Sequence, residues 1–152
     1  MAEEADRRYL FSYMEQRFGI PETTFDDYLL FKKQKSWWLL KKSPHLLRCC
    51  RIKVSRVGLR AFQKIGQFVK PATWMIQVFG GKATKSRFDL NEDKLQGLLA
   101  GEAIPAHKGL ENGYVILCLK GHVLGLGLCI DGKIRSQIPR NQLRRPTHPA
   151  GD

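Results

Sequence analysis

An α+β fold is what this sequence predicts, and three features carry that prediction. The N-terminal stretch has apolar residues at helical spacing, helix caps punctuate the middle, and the C-terminal third reads as consecutive strands joined by tight turns. A chain of 152 residues with 43% apolar content makes one domain, or one domain with a small appendage. It is long enough to hide about two-thirds of the surface its unfolded form exposes.

Taken in order, Glu3 to Phe18 predicts a helix, because Leu10, Phe11, Met14 and Phe18 gather near one face. Gly19-Ile20-Pro21 stops it with a flexible C-cap and a proline. Asp26–Phe31 and Trp37–Lys41 are short strands around the polar turn Lys32–Ser36, and Leu47–Val54 is a third. Ser55 caps a helix running to about Gln67, on which Arg56, Arg60, Gln63, Lys64 and Gln67 share one face. Pro71 suits the first turn of a helix reaching Phe79 and closed by Gly80-Gly81. Asn91 caps another through Ala100, ended by Gly101.

Tyr114–Lys120 is then a strongly apolar strand, and Gly121-His122 turns the chain into Val123–Ile130. With a period of two, Leu124, Leu126, Leu128 and Ile130 lie on one side, and Val123, Gly125, Gly127 and Cys129 on the other. Two glycines at i, i+2 in a strand need a cause. Either another element packs tightly there, or a ligand approaches the bare backbone; packing takes precedence, and the two can coexist. Asp131-Gly132 signals a hairpin into Lys133–Ile138. A three-residue loop pairing Cys129 with Lys133 is the preferred register, since it keeps Lys133 and Arg135 off the leucine face.

Charge is the anomaly: 26 Lys+Arg against 14 Asp+Glu. Residues 1–31 hold seven acids and three bases, whereas residues 32–70 hold twelve bases and no acid at all. Trp37, Trp38, Leu39, Leu40, Leu46 and Leu47 lie inside that basic window, so it is folded structure with a cationic surface. Ordinary surfaces mix their signs, and a carboxylate-free window points to a polyanion, RNA before an acidic membrane. The basic helix also lacks the bulky apolar face that membrane-surface helices insert.

Other classes drop out. The opening MAEEADRR is neither a secretory signal nor a transit peptide, and the longest apolar run, Tyr114–Leu119, is far short of a membrane span. Cys49-Cys50, Cys118 and Cys129 have no metal-ligand spacing and read as free thiols in a reducing cytoplasm. His45, His107, His122 and His148 are scattered, and neither they nor Asp26-Asp27 assemble a catalytic or metal constellation.

The string Gly113–Arg145, with its apolar strand, Gly121-His122 link, Leu124-Gly125-Leu126-Gly127 strand, cationic strand and Ile138-Pro139-Arg140, resembles the closing part of the PUA-like RNA-binding module. The version it is most similar to stands at the C-terminus of Nop/Sun-type (RsmF-like) rRNA 5-methylcytosine methyltransferases. Lys70-Pro71-Ala72-Thr73, Asp89-Leu90 and Gly101-Glu102 fit the same module, so the resemblance covers about residues 53–145. It implies a mixed-sheet pseudobarrel with flanking helices, here preceded by a small α/β N-terminal extension. It also implies RNA binding, usually as an appendage to an RNA-modifying catalytic domain. The two proline-cysteine contexts and the glycine-rich S-adenosylmethionine loop of those enzymes have no match in this chain.

The expectation is therefore a non-catalytic, cofactor-free and metal-free module in three parts: a helix-plus-strands subdomain (1–52), the PUA-like domain (53–145) and a flexible tail (146–152). Its partner is structured RNA, rRNA or tRNA, with a separate RNA methyltransferase as a second candidate and no membrane. Arg56, Arg60, Lys64, Lys70, Lys120, Lys133, Arg135 and Arg140 would hold the RNA backbone. Gly125 and Gly127 would let it approach, and Trp37 or Trp38, at most one of the pair, would stack an unpaired base. The alternative is a protein–protein adaptor docking onto a ribosomal or RNA-modifying complex through an apolar patch.

Overall fold

Helix α1 (Glu4–Phe18) opens the chain and ends where the sequence says it should, with Gly19 at φ 66° donating to the Glu15 carbonyl at 2.8 Å. It buries Leu10, Phe11, Met14 and Phe18. In the computed structural model, which describes residues 1–49 and 58–143, two sheets follow. The first is an antiparallel meander of β1 (Tyr28–Lys33), β2 (Ser36–Lys41), β3 (Leu59–Ile65) and β4 (Phe68–Pro71), with the short helix α2 (Leu46–Cys49) between β2 and β3. Helix α3 (Thr73–Phe79) leads to β5 (Arg87–Leu90), α4 (Glu92–Leu99) and β6 (Ile104–Pro105). Then come β7 (Gly113–Leu119), β8 (His122–Ile130), β9 (Lys133–Ser136) and the single turn α5 (Arg140–Leu143).

The second sheet has the order β5-β7-β8-β9-β6, with β5 parallel to β7 and every other pair antiparallel. Its two edges meet the same core. Phe88 and Leu90 of one edge strand and Ile104 of the other share a buried cluster with Val115, Leu117, Cys129 and Ile134. The sheet is thus curled into a half-barrel, and α4 closes the gap with Leu98. Asn91 caps that helix as anticipated, its side chain accepting from the Lys94 amide at 2.8 Å. Helices around a mixed, curled sheet are the α+β pseudobarrel that the sequence leads one to expect.

A second cluster joins the two sheets. It takes Leu10, Phe11, Met14 and Phe18 from α1, Leu30, Leu39 and Phe62 from the meander, and Met75, Ile76 and Phe79 from α3. β7 alternates between the clusters, giving Ile116 and Cys118 to one and Val115 and Leu117 to the other. Partly buried arginines stitch the parts together. Arg7 donates to the Tyr28 and Phe25 carbonyls at 2.9 and 2.8 Å, and Arg17 to Tyr114 and Glu111 at 2.8 and 3.0 Å.

Several expectations need correction. The segment 58–67 is not a helix but the strand β3 and a tight turn into β4. Gly58 and Gly66 both have positive φ (86° and 60°) and bound only seven residues. A Cβ on Gly58 would run into the Leu39 carbonyl, and Gly66-Gln67 fill a two-residue hairpin between Ile65 and Phe68. Ser55 and Arg56 lie outside the described residues, as does the 146–152 tail. The expected strand 47–54 begins instead with α2, whose backbone is satisfied locally through Ser43 and His45, and its remainder is outside the described residues. Pro71 ends β4 opposite Phe62, so α3 starts two residues later than expected. β2 pairs with β3, so the first sheet draws strands from both sides of the expected 52/53 division.

The hairpin register also differs. Asp131 and Gly132 both have positive φ (50° and 77°), making a two-residue turn that pairs Ile130 with Lys133 and Leu128 with Arg135. The cations therefore do share the leucine face. The reason is that this face is covered only near Leu126, fully buried against α1 and α3, whereas Ile130 at the tip is 55% exposed. No helix among the described residues is long and apolar enough to cross a membrane.

Candidate nucleic-acid interface

The glycines of β8 are a packing device. A Cβ on Gly125 would stand 2.7 Å from Ile138 Cγ1, and one on Gly127 would stand 3.0 Å from Ile134 Cγ2 and 3.1 Å from Leu117 Cδ2. Both glycines are buried. They face the interior of the half-barrel, so Gly125 and Gly127 present no open backbone to a ligand, contrary to the expectation that RNA approaches there.

The cations fall into separate groups. Lys120 sits at the β7–β8 turn, where it reaches Glu92 at 3.9 Å, an exposed pair of little energetic weight. Lys133 and Arg135 lie at the other end of β8, about 25 Å away along the strand at roughly 3.3 Å per residue. The structure does not bring these two groups together.

Residues of the meander are better assembled. An extra residue, Ala61, between the partners of Trp37 (Phe62) and Trp38 (Arg60) forms a bulge that turns Ala61 and Phe62 inward and Arg60 outward. Strand parity then sorts the side chains into rows on the outer face. Phe31, Trp38 and Arg60 are direct cross-strand neighbours over β1, β2 and β3. Lys33, Ser36, Gln63 and Lys70 form the next row across all four strands, and Ile65 with Phe68 the last. The Arg60 guanidinium lies over the Trp38 ring, 5.5 Å from its centroid. Phe68 is 74% exposed. Not one Asp or Glu occurs in the four strands.

Lys64 lies on the opposite side of β3 from Arg60, near α1, where its charge helps to lower the Asp6 pKa. The helical face expected to hold Arg60 and Lys64 together therefore does not exist. Trp37 needs the same correction. It is buried, and its indole N–H donates to Asp6 Oδ2 at 3.1 Å, so it cannot stack a base. Lys32 completes that cluster, 3.1 Å from Asp6 and above the Trp37 ring. Burial of Asp6 works to raise its pKa, but the Trp37 and Lys32 hydrogen bonds and the Lys32 and Lys64 charges bring it below the usual carboxylate value.

Lys70 marks the seam between the sheets. Its Nζ donates to Gln137 Oε1 at 3.0 Å, and the Gln137 backbone N–H donates to the Leu126 carbonyl at 2.8 Å. Half-burial pushes the Lys70 pKa down, a cost that an anion placed there would relieve. Arg140, exposed at the start of α5, follows the same turn. Arg60 and Lys70 are thus the expected cations that share the outer face of the first sheet, with Arg140 three residues beyond the Gln137 that Lys70 bonds.

Two features escaped the sequence reading. The row that joins Ile65 and Phe68 to the strand holding Phe31 was hidden by the helix expected over 55–67; the Gly58–Gly66 spacing was the available signal. On the half-barrel, His107 stacks on Phe88 with centroids 5.8 Å apart and Lys94 Nζ lies 5.0 Å from the same ring, beside Arg87 and Asp89. That cleft depends on long-range pairing that no local pattern displays. Among the described residues no three His, Cys, Asp or Glu side chains gather as a metal site. Cys118 and Cys129 are free and buried, and burial raises the Cys118 thiol pKa.

Residues 85–144 match the family model of the methyltransferase RsmF PUA domain. Among curated relatives, the ribosomal RNA small subunit methyltransferase F of Psychromonas ingrahamii is 26% identical over 141 residues, covering 89% of this chain and 28% of that enzyme. Those of Aeromonas salmonicida and Shewanella baltica are 21% and 25% identical over 76% and 87% of the chain. The chain spans about a quarter of the length of these relatives (24–28%). It resembles the PUA module of RsmF-type methyltransferases, as its C-terminal strands indicate. An alignment over 89% of the chain also reaches into residues 1–52, so the similarity extends beyond the segment matched to the PUA domain.

Proposed function

We propose, with a PUA-like module over residues 85–144 as the premise, that this chain is a non-catalytic RNA-binding module serving rRNA modification or ribosome assembly in the cytoplasm. Its ligand is structured RNA, rRNA or tRNA, held mainly through backbone and shape. The observation that carries the reading is the match to an rRNA methyltransferase's PUA domain on a chain whose meander strands are free of carboxylates. Arg60, Lys70 and Arg140 supply phosphate contacts around the seam, with Lys133 and Arg135 as a second group on the hairpin tip. A methyltransferase polypeptide is the natural partner, since the relatives carry that name over a length this chain does not span.

The test is a salt series with a structured RNA hairpin and the whole chain. Five phosphate contacts give a log–log slope near −4.5, so affinity should fall by roughly 500-fold between 50 and 200 mM salt. A change under about threefold would remove the phosphate-contact reading. A second reading, an adaptor docking onto a ribosomal or RNA-modifying complex, has one observation in its favour. Trp74 and Val78 on α3 are 56% and 58% exposed, one helical turn apart. Such a dock would be insensitive to salt.

A further inference from the structure

The outer face of the first sheet combines three properties that rarely coincide. It is open at Phe68 and Ile65, 74% and 46% exposed. It is purely cationic, because every charged residue of its four strands is Lys or Arg. It also carries flat groups in line, Phe31, Trp38 and Arg60, with the guanidinium laid over the indole at 5.5 Å. A solubilising surface needs no such row, and a dock for an apolar protein surface would not separate its aromatics with Lys33 and Lys70.

We propose that this face binds a short unpaired stretch of RNA, its bases stacking on Trp38–Arg60 at one end and Phe68 at the other. Aromatic rings and guanidinium planes are the groups on which proteins stack splayed bases, and every base offers a π-face to them. The Lys33–Gln63–Lys70 row lies between the two stacking points and meets the phosphates. From Arg60 to Phe68 is about 15 Å across one strand spacing and four ladder steps, a span that a few unpaired nucleotides bridge. The site lies in residues 28–71, outside the span matched to the PUA domain, and adds single-strand capture to shape readout. It rests on the RNA-binding reading above.

The experiment measures binding of the full chain to a fluorescein-labelled ten-residue oligouridine and to a blunt RNA duplex of equal phosphate count, each at two salt concentrations. Phe68→Ser and Trp38→Leu should each weaken oligouridine binding about tenfold with the salt slope unchanged, as loss of a stacked base does. Arg60→Gln should weaken it and reduce the slope by about 0.7. Duplex affinity should move less than twofold in Phe68→Ser and Trp38→Leu, whereas Arg60→Gln, which removes a phosphate contact, should weaken both RNAs. Phe68 and Arg60 are exposed, so their variants keep the test decisive even if Trp38→Leu unfolds. Unchanged oligouridine binding in Phe68→Ser and Arg60→Gln overturns the proposal. Wild-type binding to duplex alone overturns it while leaving the module's RNA function intact, and binding to neither RNA overturns both.

Discussion

Replacing Gly125 by alanine separates a packing glycine from a ligand-approach glycine. The added Cβ would stand 2.7 Å from Ile138 Cγ1 and 3.1 Å from its Cδ1, with Thr73 Cγ2 at 3.5 Å behind it. The nearest contact is not the free end of a flexible chain, so Ile138 must shift. Overpacking of this kind costs typically ~1–3 kcal/mol. Removing a glycine from a strand returns roughly 0.5–1 kcal/mol of backbone entropy. The net is a loss of up to about 2.5 kcal/mol, centred near 1 kcal/mol, which at about 2–4 °C per kcal/mol for a chain of this length lowers Tm by a few degrees. Urea denaturation of Gly125→Ala, Ile138→Ala and the double variant forms a thermodynamic cycle. The double variant should be more stable than the singles sum to by at least about 1 kcal/mol, since Ile138→Ala vacates the space that the new methyl needs. RNA affinity of the folded Gly125→Ala protein should be unchanged. A variant of wild-type stability with weakened RNA binding would refute the packing argument and restore the backbone-approach reading.

Two further outcomes follow from the polar contacts. Asp6→Asn should lower stability at pH 6 by about 1 kcal/mol, the exposure of Lys32 limiting the ion-pair share. Because the Asp6 pKa is depressed in the fold, its contribution is present above the unfolded carboxylate value and lost as pH falls through the folded one. The gap between wild type and Asp6→Asn in urea midpoints should therefore close below about pH 4, and an equal gap at pH 3 would count against the latch. Arg17→Met removes a partly buried donor from the Tyr114 and Glu111 carbonyls and should cost about 1–2 kcal/mol in chemical denaturation. Glu111→Gln, which touches only the long exposed pair at 3.9 Å, should cost under about 0.5 kcal/mol; equal losses would contradict the assignment.

Where signals were local, the sequence was legible. The four apolar residues of α1 with Gly19 behind them, and Asn91 ahead of α4, specify their elements through caps that need no tertiary context. β7 and β8 were equally plain, being too apolar and too glycine-marked for anything else. β3 was misread because Arg56, Arg60 and Lys64 stand four apart, which imitates a helix face, and positional charge outweighed the two glycines that bound the strand. The hairpin register went wrong for a different reason. It assumed that Leu126, Leu128 and Ile130 are buried alike, whereas cover by α1 and α3 ends after Leu126. The interface was legible as composition and illegible as geometry. That Trp38 faces outward with Arg60 while Trp37 anchors α1 depends on a bulge at Ala61, which nothing around that residue announces.

Cys118, Ile116 and Leu126 are fully buried, and what buries them is α1, α3 and the meander. A fragment limited to residues 85–144 would turn these side chains to water. For the two large aliphatics alone that forfeits about 3–6 kcal/mol at the usual worth of a buried Ile or Leu, much of what a small domain has. The portable piece is therefore larger than the matched segment. In a fusion, truncation or gene-shuffling event, the N-terminal helix and meander have to travel with the half-barrel, and the two should melt in one transition.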